Sequence, residues 1–195
     1  MHIADGILPT SVCAIAQVTA LGGVSWASRK MEAEEVVRMG LLASAIFVVS
    51  MVHFPLGGTS IHLGLFGLTG LLVGRRALPV VYTALLFQAL LFQHGGILSL
   101  GVNATNMGLG ALAAAAVWRV GLLPETVRAF AAGFVGTMLP ATLMAVEFYL
   151  AGYGKGFAVI ATIYAGVSLI EAAVTSFVVA FLRRVRPAML MRAAV

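Results

Sequence analysis

Charge is what this sequence most conspicuously lacks. Of its 195 residues only 10% are charged, against about 25% in a soluble domain. Hydrophobic residues make up 61%, and the mean hydropathy is +1.05. So few polar groups cannot cover a surface that faces water, and a lipid bilayer is the solvent that accepts such a chain. Cysteine is nearly absent: Cys13 stands alone, which excludes an internal disulfide and leaves the redox compartment unreadable. Basic residues are missing from the start, where the first is Arg29, and Asp5 and Pro9 interrupt it, so a cleaved signal peptide is not expected. A soluble domain, a long linker and a low-complexity tract are also missing. So is a phosphate loop. The stretch Gly152-Tyr153-Gly154-Lys155-Gly156 resembles one superficially, but Tyr149 stands where the first glycine is required and Gly156 where the hydroxyl is required. ATP hydrolysis would have to come from partners, and an enzyme is not expected.

What is present reads as an all-α, polytopic transmembrane bundle in a single domain, 1–195. A spanning helix needs about 20 apolar residues, with a range of about 17–25. Spans fall near 9–28, 34–54, 60–74, 77–93, 103–119, 126–150 and 157–182. The third is short: Ser60 to Gly74 rises only about 22 Å at 1.5 Å per residue, and a re-entrant segment is the alternative. The basic residues decide between the two. With seven spans, Arg29, Lys30, Arg38, Arg75, Arg76, Arg119, Arg128, Arg183, Arg184, Arg186 and Arg192 share one side, and Lys155 alone is on the other. The positive-inside rule then puts the N-terminus outside and the C-terminus in the cytoplasm. The net charge of +5 is therefore membrane topology and not a nucleic-acid surface. Trp26, Trp118, Tyr149 and Tyr153 fall near span ends, where aromatic belts form. Gly64, Gly67, Gly70 and Gly74 are spaced for close helix packing.

Four histidines carry the chemistry. His2, His53, His62 and His94 all fall toward the outer face of a seven-span chain. One such histidine is ordinarily an interfacial residue satisfied by water or a carbonyl; four on one side point to a metal or proton site. Met1-His2 is either a frayed terminus or a chelate. Its free amine and the His2 backbone nitrogen close a five-membered ring on a metal, and that nitrogen with Nδ1 closes a six-membered ring. One further imidazole completes a planar set of four nitrogens, which suits Ni(II) or Cu(II). Glu147 and Glu171 lie inside the last two spans, where carboxylates are functional by default.

Three ordered motifs then carry a family resemblance: Met1-His2-Ile3-Ala4-Asp5-Gly6-Ile7-Leu8-Pro9; Gly57-Gly58-Thr59-Ser60-Ile61-His62; and Phe87 to Gly96, running on to Gly101-Val102-Asn103 and Asn106-Met107-Gly108. Over roughly residues 1–110 the chain resembles the CbiM/NikM family, the substrate-capturing membrane component of energy-coupling-factor cobalt and nickel transporters. The later helices match only as apolar spans of the expected number. The resemblance implies capture of Co(II) or Ni(II) as transported substrate, with no organic cofactor. The ligands it implies are the amine and amide of Met1-His2, the His2 ring and His62, with segment 1–8 inserted into the bundle. Ile61 stands where some relatives carry a polar residue or second histidine. Asp5, Thr59, Ser60, Gln93, His94 and Asn103 are candidates for supporting contacts; Asp5 serves at least equally as a solvent-facing turn residue, and for the others a local loop cap is the preferred reading. Implied partners are a coupling membrane subunit (EcfT/CbiQ-like), ATPases (CbiO/NikO-like), a small CbiN-like membrane protein and the lipid of a prokaryotic cytoplasmic membrane. The competing readings are a proton-coupled secondary metal carrier, a haem-binding redox protein and an organic-vitamin capture subunit.

Overall fold

The computed structural model describes the backbone of residues 1–56, 59–153 and 156–191, and the side chains of these except at positions 55, 56, 59, 60, 156 and 191. The chain is mostly helical. Its elements are α1 (Thr10–Ser28), α2 (Ala33–Ser50), a hairpin of β1 (His53–Leu56) and β2 (Thr59–His62), α3 (Phe66–Val73), a tight turn at Gly74–Arg76, α4 (Ala77–Phe92), α5 (Leu100–Arg119), α6 (Glu125–Leu150), α7 (Gly156–Val185) and the short α8 (Ala188–Met191).

Two of the expected spans need correction. The stretch 34–54 is helical only to Ser50, and 60–74 is helical only from Phe66. Between them an antiparallel hairpin pairs His53 with His62 and Phe54 with Ile61. Apolar content there was read as helix, but Val52, Phe54 and Ile61 are β-branched or aromatic and flank Pro55-Leu56-Gly57-Gly58, the composition of a strand and turn.

The bundle has two ends. At one, Arg76 reaches the last carbonyls of α1 and the first turn of α2, and Arg128 reaches the carbonyl of Trp118 at the end of α5. At the other lie residues 1–8, the hairpin and the α4–α5 loop. Between these ends run the helices α1 to α7, α3 being the shortest. Its reversal is visible against α5: a Cβ at Gly70 would fall on the Ala111 carbonyl, Gly74 lies beside Arg119, and Leu78 returns to the level of Gly108. Gly74 turns the chain with φ 55° and ψ −129°, a conformation open mainly to glycine. Gly67 likewise approaches the backbone of Ala132 and Gly136 on α6, so small residues let α3, α5 and α6 pack backbone to backbone.

Among the described residues, five stretches are long and apolar enough to cross a membrane by length and composition: Thr10–Ser28, Phe66–Phe92, Leu100–Arg119, Glu125–Leu150 and Phe157–Val185. The 18-residue α2 carries Glu34, Glu35 and Arg38 in its first turns. Central α5 is 67% buried over its apolar window and peripheral α1 only 17%, so α5 is the post on which the site is built.

Candidate metal site at the histidine end

The N-terminal segment is threaded into the bundle, with Met1, His2 and Ile3 buried. An extended segment without a strand partner needs something else to take its backbone groups. Asn103 on α5 supplies it: its Oδ1 accepts from the Ile3 N–H at 2.8 Å, and its Nδ2 donates to the Ile3 carbonyl at 3.0 Å. The Ser99 hydroxyl lies 2.7 Å from the same carbonyl. Asp5 accepts from the N–H groups of Ile97 (3.0 Å), Leu98 (3.3 Å) and Ser99 (2.8 Å), at the start of α5. A carboxylate is favoured at a helix N-terminus. Burial alone would raise the Asp5 carboxyl, but the bonds from Ser99, Leu98 and Ile97 outweigh it and hold it below its ordinary value.

The four histidines converge. Ring centroids lie 4.8 Å apart for His2 and His62, which stack at 27°, and 4.3 Å apart for His2 and His94. They lie 4.3 Å apart for His53 and His94, and 5.7 Å for His62 and His94. One ligand nitrogen from each of His2, His62 and His94 falls within 4.8 Å of the others. His62 Nδ1 lies 3.0 Å from the Leu63 carbonyl; donating there fixes the tautomer and leaves Nε2 as a bare lone pair. The Nε2 atoms of His2 and His62 are both enclosed and have no hydrogen-bond partner. Burial, then the adjoining Met1 amine and the other rings, holds His2 well below its usual imidazole range. Burial lowers the Met1 amine well below its ordinary value too, against an opposing pull from Glu171. His94, half-buried beside His53, is lowered to about 4. The His2 and His94 rings are therefore uncharged at neutral pH.

Gly95 and Gly96 complete the cradle, both with positive φ (87° and 84°). A Cβ at Gly95 would stand 2.6 Å from His2 Nδ1, and one at Gly96 would fall on the Asp5 carboxylate. The missing side chain at Gly95 keeps the space beside Nδ1 clear.

Of the expected supporting residues, Asp5 and Asn103 anchor the terminus and His94 contacts the His2 ring. Gln93 is exposed and ends α4 in a left-handed conformation. The side chains of Thr59 and Ser60 lie outside the described residues. Ser99 and Gly95 were not singled out in the sequence as site residues, and a serine or glycine in a loop carries no signal that could have done so. The intramembrane carboxylates find distinct partners. Glu171 accepts from the N–H groups of Gly64 and Leu65, two and three residues after His62. Leu65, immediately before α3, has φ 53°. Glu147 accepts from Asn106 Nδ2 at 2.7 Å.

Fold and site together define a multi-pass helical membrane protein built around an enclosed histidine cluster. The family model described as "cobalt uptake substrate-specific transmembrane region" (CbiM) matches residues 2–189, and the chain belongs to that family. It is 30% identical over 197 residues to a putative fused nickel transport protein NikMN of Archaeoglobus fulgidus, covering 96% of this chain and 67% of that one. With a cobalt transport protein CbiM of Sorangium cellulosum it shares 30% identity over 98% of this chain and 95% of the relative. With a putative metal transport protein of Haemophilus influenzae it shares 36% over 64% of this chain, spanning 61% of that relative's length. A crystal structure of a transition metal transporter superposes with a TM-score of 0.85 at 25% identity, covering 95% of this chain and 93% of that one.

Proposed function

We infer that the chain captures Co(II) or Ni(II) at the outer face of a prokaryotic cytoplasmic membrane, as the substrate-specific component of an ATP-driven energy-coupling-factor transporter. The observation that carries this reading is the enclosed, partnerless Nε2 atom of His62, whose ring stacks on that of His2 at 4.8 Å between centroids. Leaving a buried polar group unpaired costs about 1–3 kcal/mol, a cost that a bound cation removes. The Met1 amine, the His2 backbone nitrogen and His2 Nδ1 close the five- and six-membered chelate rings, and His62 Nε2 supplies the fourth nitrogen. Nitrogen donors suit late divalent ions, among which geometry and supply rather than raw affinity set the choice.

The basic end of the bundle faces the cytoplasm in this reading, by the positive-inside rule, and all seven passes cross the membrane. A CbiMQ-named relative of Methanocorpusculum labreanum and the NikMN relatives are fusions, which supports CbiQ- and NikN-type membrane partners; CbiO/NikO-like ATPases would supply the energy. A proton-coupled carrier is less well supported, because Glu171 and Glu147 are each engaged in holding helices together. A haem site needs two rings facing each other across a macrocycle, whereas these rings touch one another.

Two measurements test the reading. One extra residue before Met1 turns its amine into an amide and breaks the ring sequence while every side chain remains. Titration with Ni(II) and Co(II) should show high-affinity binding by the native chain and its loss in the extended one, with a tag at Val195 harmless. Equal affinities would remove Met1 from the ligand set. For orientation, in a Cys13→Ala background, Ile97→Cys should react with an impermeant thiol reagent in whole cells and Arg75→Cys should not. The reverse pattern sinks the orientation.

A further inference from the structure

His53 and His94 are not needed to complete the four-nitrogen set, yet they continue the line of rings outward. Exposure grades along that line: His2 and His62 are buried, His94 is half-buried, and His53 is exposed. Each neighbour along it is in ring contact, at 4.3 Å from His53 to His94 and 4.3 Å from His94 to His2. The hairpin fixes the arrangement, because His53 and His62 are directly paired across its two strands, and residues opposite one another in a sheet project to the same face. His53 Nδ1 lies 3.0 Å from the Met51 carbonyl; donating its proton there leaves Nε2 as a lone pair at the exposed end of the line. We propose that His53 and His94 form an outer capture site, which takes a hydrated divalent cation from solvent and hands it to His2 and His62.

The chemistry follows from ligand exchange. A divalent ion arrives with a full shell of water and cannot enter an apolar enclosure with that shell intact. Imidazole nitrogen binds such ions at about 2.0–2.1 Å, so an ion held by one ring is within reach of a ring in contact with it. Each step replaces a bound water or ring nitrogen by the next ring's nitrogen. Neutral ligand replaces neutral ligand, and the ion never returns to bulk water between rings. No proton has to leave until the inner site takes the ion on the deprotonated His2 backbone nitrogen. The two outer rings thus govern how fast the ion enters, and the inner nitrogens govern how tightly it is held.

This inference rests on His2 and His62 being the inner site, and the test separates the two ideas. The purified full chain is mixed with Ni(II) in a stopped-flow instrument, association and dissociation are followed with a chelating dye, and Kd is measured at equilibrium. His53→Asn and His94→Asn should slow association by about one decade, within the range over which related variants differ in association rate. Microscopic reversibility requires dissociation to slow by the same factor, so Kd of His53→Asn stays where it was, while His94→Asn, which also removes the ring packed on His2, weakens Kd by less than His62→Ala does. Because His53 is exposed, its variant cannot fail through lost packing, and its retained Kd certifies its fold. Unchanged association rates in both variants overturn the outer site and leave the inner one standing. A Kd for His94→Asn weakened as far as that of His62→Ala also overturns it, since His94 would then be an inner ligand. Normal equilibrium binding by His62→Ala would remove the inner site itself, and the relay with it.

Discussion

At the basic end of the bundle, the Arg76 guanidinium donates to the carbonyls of Ala27, Arg29 (2.9 Å) and Lys30 (3.0 Å) and pairs with Glu35 at 2.9 Å. Arg38 likewise donates to the carbonyls of Leu72 and Met189, and Arg128 to that of Trp118. Helix C-termini expose unpaired carbonyls, and these arginines satisfy them. At the histidine end, the same fold leaves ring nitrogens on His2 and His62 with nothing to bond. Enclosed atoms without a hydrogen-bond partner occur at both ends, Arg128 Nε among them, but at the basic end they belong to cations and at the histidine end to imidazole rings. An enclosed imidazole nitrogen can bind a cation and a guanidinium cannot, so the histidine end is where a metal should be sought.

That contrast is sharpest in a paired substitution. His62→Ala removes one of the four nitrogens and should weaken metal binding by more than about 100-fold, beyond the roughly 10–100-fold typical of losing a supporting contact. Arg76→Ala should leave metal affinity unchanged and lower stability by about 1.5–3 kcal/mol, the scale of hydrogen bonds to a charged group. Isothermal titration and thermal melts of the metal-free chains in detergent measure both. A loss of affinity in Arg76→Ala as large as that in His62→Ala would break the separation between the two ends.

Much of this contrast was legible in the sequence. The basic residues sorted the ends, with Lys155 and Arg192 outside the described residues, because charge placement follows loop position, and loop position follows from apolar runs. Met1, His2 and His62 stood out through chelate geometry and motif. The hairpin was not legible, because a short apolar run does not distinguish strand from helix by periodicity. The bonds from Gly64 and Leu65 to Glu171 were not legible either. They join a carboxylate to backbone groups 106 and 107 positions away, and a backbone N–H leaves no trace in a sequence. Glu171 itself was flagged by its position in a span, but its partners required the fold.

The smallest expected effect concerns Asp5, which ties the terminus to the start of α5. Its carboxyl is held below its ordinary value by hydrogen bonds to its ionised form, despite the opposing effect of burial. The folded chain therefore binds that proton less readily than the unfolded chain does. Stability from this group is fully present above the unfolded value of about 3.9, and it is lost as pH falls through the lower folded value. Asp5 is exposed, so solvent screens the interaction, and an exposed charge at a helix N-terminus contributes about 0.3–1 kcal/mol. Asp5→Asn keeps an acceptor oxygen but loses the charge. At pH 7 it should lower stability by that amount and weaken metal affinity by no more than about fivefold, since 1.4 kcal/mol corresponds to a factor of ten. As pH falls below the unfolded value of about 3.9 the contribution of the charge shrinks, and the melting curves of the two chains should draw together. Thermal melts of the metal-free chains at pH 7 and pH 3 provide the comparison. A gap that stays constant across that range would mean that Asp5 holds the terminus by shape and hydrogen bonding alone, with its charge contributing nothing.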